Sequence, residues 1–171
     1  MATYNAPIDD MMFLFEKLRD NPHYNSLEKY KEVNPELAKD ILEQAAKLTE
    51  NLVLPLAKAG DETPAKLENG IVRTPPGYKE VYKKFIEDGW TSLSCDPEYG
   101  GQGMPKTISA FFDEMLSSAS LSFKLYSELS IGAYNCIFHH GTDSIKKKYL
   151  PNMVKGIWSG TMCLTEPVCG T

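Results

Sequence analysis

Apolar side chains recur at every third or fourth position through most of this chain, the spacing of helices that bury one side. From Pro7 to Arg19 the pattern is carried by Ile8, Met11, Met12, Phe15 and Leu18. Pro7 suits a first helical turn, where its missing N–H costs nothing, and Asn21-Pro22 stops the segment. Residues 20–34 are polar and predict a loop with room for one short helical turn. The strongest helix is predicted from Pro35 to Ala59, with Asn34 as N-cap, Pro35 at the first position and Glu36 at the positive end of the dipole. Leu37, Ile41, Ala45, Leu48, Leu52 and Leu56 form its apolar stripe. Pro55 predicts a kink or an early end, and Gly60 the stop.

Asn69-Gly70 between two short segments predicts a tight hairpin. A helix follows from Tyr78 to Asp88, with Tyr78, Val81, Tyr82 and Phe85 on its apolar side. Residues 90–104 carry Asp96, Pro97, Gly100, Gly101 and Gly103, the composition of a loop. Two further helices are predicted, Pro105 to Ala119 and Phe123 to His140. The second is apolar round much of its circumference, which predicts a central, buried helix. Gly141 ends it. Thr142 can cap a last helix carrying Ile145, Tyr149, Leu150 and Met153, with Lys146, Lys147 and Lys148 facing water. From Trp158 to Thr165 the spacing changes to two, through Trp158, Met162 and Leu164, and predicts a β-strand that begins a different domain.

Composition narrows the function classes. The 171 residues carry a formal charge of −5 and 42% hydrophobic side chains. That acidity argues against a nucleic-acid backbone as the main partner, which would need clustered lysine and arginine. No apolar run is long enough to span a bilayer. The first residues lack a basic segment followed by an apolar one, and Asp9, Asp10 and Glu16 are foreign to transit peptides, so a cytoplasmic protein is expected. Cys95, Cys136, Cys163 and Cys169 form no C-x-x-C pair and are expected to be reduced, mostly buried thiols.

Several short patterns carry no chemistry. His139 and His140 beside Cys136 point in different directions along a helix and lack a second ligand pair, so no metal is expected. Ser144-Ile145-Lys146-Lys147 matches S-x-x-K in letters only. Gly100-Gly101-Gln102-Gly103 is not G-x-G-x-x-G and follows no strand, which excludes a Rossmann reading.

A longer, ordered constellation is informative. Asp96-Pro97-Glu98-Tyr99-Gly100-Gly101-Gln102-Gly103 comes first, then two apolar helices. His140-Gly141-Thr142-Asp143 follows, with Lys147, Tyr149, Leu150, Pro151 and Gly156. Last comes Met162-Cys163-Leu164-Thr165-Glu166-Pro167-Val168-Cys169-Gly170-Thr171. In this order and at these distances the motifs resemble the acyl-CoA dehydrogenase family over residues 35–171. The start, Tyr4-Asn5-Ala6-Pro7 and its helix, resembles the N-terminal extension of a subgroup that includes methylmercaptopropionyl-CoA dehydrogenases and related long acyl-CoA dehydrogenases.

The resemblance implies an all-α fold, the N-terminal helical domain of that family, ending in the first strand of a middle β domain. Residues 1–34 would be the extension, 35–156 the helical domain and 157–171 the start of the β domain. It implies FAD as cofactor and oxidation of an acyl-CoA thioester to the trans-2-enoyl-CoA. A carboxylate takes the α proton, the β hydride goes to flavin N5, and electrons pass on to an electron-transfer flavoprotein; the parent would be a homo-oligomer. Leu164 and Thr165 would lie against the polar edge of the flavin, with Met162 beside the ring. Gly170 would let backbone approach a phosphate, and the Thr171 hydroxyl would bond the pyrophosphate and is a candidate contact to the acyl-CoA. The helix Phe123 to His140 would form one wall of the acyl pocket. The family's catalytic glutamate would lie beyond Thr171, so no carboxylate here takes that role. The chain by itself is expected to be a truncated fragment, inactive and without retained flavin. The rival reading is a non-catalytic helical module that binds a partner through its apolar surface.

Overall fold

The computed structural model describes residues 3–164 and 167–168. Helices dominate it: α1 (Ile8–Arg19), the short α2 (Pro22–Ser26) and α3 (Glu28–Lys31), α4 (Pro35–Leu48), α5 (Leu54–Glu62), α6 (Tyr78–Glu87), α7 (Lys106–His140) and α8 (Asp143–Val154). The sheet consists of β1 (Lys66–Glu68) and β2 (Ile71–Arg73), antiparallel, with Glu68 opposite Ile71 across the Asn69-Gly70 turn. Both turn residues have positive φ, 52° and 77°, as a tight hairpin requires.

The capping signals near Asn34 act as expected. The Asn34 side chain accepts the Leu37 N–H at 2.8 Å, and Pro35 opens α4. Further along, the helix neither stops at Pro55 nor ends at Gly60. Residues Thr49–Val53 widen into a π-turn and α5 continues to Glu62. Two local causes favour the wider turn. Pro55 has no N–H to offer, and the Thr49 hydroxyl bonds to the Ala45 and Ala46 carbonyls at 2.9 and 3.0 Å. The apolar stripe is also shifted. Ala38, Leu42, Ala45, Val53 and Leu56 are buried, whereas Leu37 and Leu52 are exposed. Small residues win on the inner side because α1 lies directly against α4 there.

The extension joins the same core as the rest. Met11, Met12 and Phe15 are buried with Leu42, Phe85, Ile108 and Met115 in one cluster. The Ala6 N–H donates to Glu50 Oε1 at 2.8 Å, which ties the extension to the π-turn. The Arg19 guanidinium donates to the Tyr30 and Val33 carbonyls and holds α2 and α3 in place.

The two helices expected at 105–119 and 123–140 are both present as the two limbs of α7, separated at Ser120, whose φ −161° and ψ 98° are not helical. Ser120 Oγ accepts the Phe123 N–H at 3.4 Å and so caps the second limb, as a serine can when it leaves helical geometry. The limbs then run back beside each other. Asp113 lies within the field of Lys124 and Glu128, while Lys106 and Tyr134 both lie near Cys95. The first limb is the central helix, with Ile108, Phe111, Phe112, Met115, Leu116 and Ala119 buried. The second, expected to be central, buries only Phe123, Ser127 and Tyr134 among its described side chains, and leaves Leu121, Leu125 and Tyr126 exposed. Apolar periodicity marks a surface that seeks cover; Tyr126 meets the rings of Tyr78 and Tyr82, whereas Leu121 and Leu125 stay exposed.

Two smaller expectations are also corrected. Of the described cysteines only Cys95 is buried; Cys136 and Cys163 are exposed, on the open limb and on the C-terminal segment. Thr142 stands at the cap of α8, but its hydroxyl bonds to Ser144 Oγ instead of a helix N–H. No helix among the described residues is long and apolar enough to cross a membrane.

Candidate functional site

The side chains with chemistry collect around the second limb of α7. The loop 96–104 supports it from below. Tyr99 to Met104 folds back on residues 92–96, with Gly101 N–H on Asp96 O, Gln102 N–H on Ser92 O, Gly103 N–H on Cys95 O and Met104 N–H on Leu93 O. The Asp96 N–H then donates to the Tyr134 hydroxyl at 2.8 Å and locks this double layer to α7. Trp90 packs on Phe112 with ring centroids 4.6 Å apart, and Phe112 stacks on Phe85.

Between the two limbs lies a slot of about 360 Å³. It is lined by Phe85, Leu93 and Met153, by Lys106, Asp113 and Leu116 of the first limb, and by Ser127, Ser130, Ile131 and Tyr134 of the second. Burial pushes the Cys95 thiol up to about 11 and the Tyr134 hydroxyl up to about 12. The Asp113 carboxyl, on the rim, is raised by desolvation against the opposing pull of Lys124.

The Cys95 shift has a checkable consequence. A thiol with a folded value above its usual 9.0 ionises more readily when unfolded, so stability is full below pH 9.0 and falls as pH rises through about 11. Urea midpoints measured across that window should decline less steeply in Cys95→Ser, because a serine has no proton to lose there. Equal slopes in the two proteins would refute the assignment.

The C-terminal segment crosses this site. Gly156 (φ 68°) turns the chain out of α8, and the Ile157 and Trp158 N–H groups both donate to Asn152 O at 2.9 and 3.1 Å. The Gly160 N–H donates to Ser130 Oγ at 3.0 Å. Gly160 sits so close to α7 that a Cβ would lie 2.5 Å from Ala133 Cβ and 3.0 Å from Leu129 O. Residues 158–164 therefore form no strand among the described residues. The alternation is present, but no second strand lies alongside, and Gly160 is drawn onto a helix instead.

Met162 and Leu164 come next along the chain with exposed side chains, 62% and 53%. The backbone groups of 161–164 find no partner among the described residues. Thr165, Gly170 and Thr171, named with them from the sequence, lie outside the described residues. His139, His140 and Cys136 do not converge, and no metal-binding cluster occurs among the described residues.

The slot was not legible in advance. Its signal in the sequence is Ser127, Ser130 and Tyr134, polar side chains at helical spacing on one side of an apolar limb. Gly160, the small residue that interrupts the alternation, is the signal for close contact.

Comparisons with known proteins agree with this architecture. A family model described as acyl-CoA dehydrogenase, N-terminal domain, matches residues 35–157. The 3-methylmercaptopropionyl-CoA dehydrogenase of Ruegeria pomeroyi is 41% identical over 99% of this chain and 29% of its own length. A butyryl-CoA dehydrogenase of Syntrophomonas wolfei is 34% identical over 73% of this chain and 21% of its own length. The broad-specificity linear acyl-CoA dehydrogenase FadE5 of Mycobacterium tuberculosis is 28% identical over the whole chain and 28% of its own length. The chain thus spans less than a third of these relatives. Among solved structures, the electron transferring flavoprotein of Acidaminococcus fermentans matches with a TM-score of 0.63 at 22% identity, over 86% of this chain and 34% of that one, a likeness of fold.

Proposed function

We propose, from the premise that this chain belongs to the acyl-CoA dehydrogenase family, that it is the N-terminal part of an FAD-dependent enzyme oxidising an acyl-CoA thioester to the trans-2-enoyl-CoA. The observation that carries the reading is the seating of Gly160 on α7. It brings the stretch before the motif Leu164-Thr165-Glu166-Pro167 against the limb that leaves Leu121 and Leu125 uncovered. Acyl site and cofactor site would then share one wall.

Each group has a role in this reading. FAD, when bound, supplies the hydride acceptor, which no side chain can be. Met162 and Leu164 would rest against the ring, and free N–H groups of the same stretch would meet its polar edge. Thr165 would add a hydroxyl there, and Gly170 and Thr171 would hold the pyrophosphate, with Thr171 also reaching the acyl-CoA. The second limb of α7 would exclude water from the acyl side, which strengthens every polar contact in the site. The base that takes the α proton is assigned to a carboxylate outside this chain; the reading names none within it. Electrons would leave to an electron-transfer flavoprotein, and the complete enzyme would be a homo-oligomer.

The 171-residue chain alone is proposed to hold no stoichiometric flavin and to turn over no acyl-CoA. The test is product analysis. The complete protein, incubated with a saturated acyl-CoA and an electron acceptor, should yield a thioester lighter by two hydrogens with a trans α,β double bond. An unchanged thioester across a panel of chain lengths would overturn the assignment.

A further inference from the structure

We propose that the exposed side of α8, together with the turn that follows it, is a peripheral attachment surface for an anionic lipid bilayer. The face is one that the function above leaves unused, and its role does not depend on that function.

Helical periodicity makes the surface. Leu150, Met153 and Val154 are buried and face the body of the protein. Ile145, Lys148, Tyr149, Asn152 and Lys155, three or four residues apart, share the opposite side. The turn then adds to this side. Gly156 permits the reversal with φ 68°, and the Ile157 and Trp158 N–H groups donate to Asn152 O. Both residues are thereby folded back on the helix, and the Trp158 ring lies 5.7 Å from that of Tyr149. Four large apolar side chains are left open together: Ile145 at 41%, Tyr149 at 37%, Ile157 at 65% and Trp158 at 41%. Apolar residues exposed singly are ordinary, but a contiguous group marks an interaction surface.

Charge narrows the partner. Residues 141–158 carry Lys146, Lys147, Lys148 and Lys155 against Asp143, a net +3 within a chain of net −5. Among the described residues no carboxylate forms an ion pair with these four lysines. Glu87 and Asp88, next to the Ile86 that touches Gly156, are held by Lys83 and Lys84. Asp143, Asp96 and Glu98 gather around Tyr99 at the N-terminal end of α8. Lys148 lies 5.2 Å over the Tyr149 ring, so cation and apolar surface alternate.

This combination fits the boundary of a bilayer. Tryptophan and tyrosine rest at the headgroup level, isoleucine enters the acyl region, and lysine reaches phosphate while its stem covers apolar surface. An acidic protein would satisfy the lysines but would need a pocket for Ile157, which stands open at a turn. No helix among the described residues can cross the bilayer, so the contact is with its surface.

The experiment is co-sedimentation of the complete protein with two kinds of vesicle, at low and at high salt. One is phosphatidylcholine alone; in the other a quarter of the lipid is phosphatidylglycerol. Binding is expected to the anionic vesicles and should weaken as salt rises. A lysine near an anionic surface is worth roughly fivefold in partition, so Lys148→Ala combined with Lys155→Ala should lower the partition coefficient about twentyfold. Ile157→Ser should lower it about tenfold at either salt concentration, because its contribution is apolar. All three side chains are exposed, so far-UV circular dichroism should not change. A complete protein that stays in solution with both vesicles overturns the proposal. So does binding that the lysine and isoleucine substitutions leave unaltered. Either result leaves the enzymatic assignment standing.

Discussion

Replacing Gly101 with alanine should lower stability by about 3 kcal/mol, the upper end of what overpacking costs. A Cβ at this position would lie 2.1 Å from the Cys95 carbonyl oxygen and 2.2 Å from its carbon. Backbone cannot turn aside as a flexible side chain can. Moving it breaks the bonds from Gly101, Gln102 and Gly103 to Asp96, Ser92 and Cys95. It also loosens the Asp96 N–H from Tyr134 and so disturbs the wall of the slot. For a chain of this size each kcal/mol shifts Tm by about 2–4 °C, so a drop near 10 °C is expected by calorimetry. The neighbouring Gly100 has φ 91° and open space around its missing Cβ. Gly100→Ala should therefore cost only the conformational strain, about 1 kcal/mol. A Gly101→Ala protein as stable as Gly100→Ala would show that the loop does not pack as described.

The second large effect is functional. Gly160→Val should leave the helical core intact yet reduce acyl-CoA oxidation by the complete protein about a hundredfold, the cost of misplacing a reacting centre by roughly 1 Å. The side chain would strike Ala133 Cβ at 2.5 Å and approach Leu129 O and Ser130 Cα at 3.0 and 3.1 Å. The helix is rigid there, so the segment must lift away and lose its bond to Ser130. Met162 and Leu164, two and four residues later, would be carried with it. Flavin content, read from the absorption of the purified protein, should fall in parallel, while far-UV circular dichroism stays unchanged. Wild-type activity in Gly160→Val would remove the support for a shared wall.

Much of this architecture arises from local rules that can be read along the chain. Asn34-Pro35 announces α4, and Asn69-Gly70 announces the hairpin, because each names a backbone geometry few other residues accept. The differences arise where tertiary contact overrides periodicity. Leu37 and Leu52 yield the inner face of α4 and its continuation to Ala38 and Val53. Close helix packing favours a small residue, and the π-turn rotates the residues C-terminal to it. The alternation from Trp158 to Leu164 has the period of a strand, but a strand needs a neighbour, and the neighbour Gly160 finds is a helix.

The candidate site divides in the same way. Met162 and Leu164 stand out through a linear motif, which is sequence information by nature. The slot is made by residues far apart in the chain, Trp90, Ala110, Ser130 and Met153, brought together only because Ser120 breaks α7 and folds it back. No local pattern encodes that meeting.

The central claim is that this chain forms one wall of a site where an acyl-CoA gives up a hydride to bound flavin. Anaerobic titration of the complete, purified protein with a saturated acyl-CoA tests it most directly. The expected result is a stoichiometric oxidised-flavin spectrum that bleaches as the thioester is added, with trans-2-enoyl-CoA appearing in step. A protein that purifies without flavin and takes none up on reconstitution, or whose flavin spectrum is unmoved by every acyl-CoA tried, would contradict it.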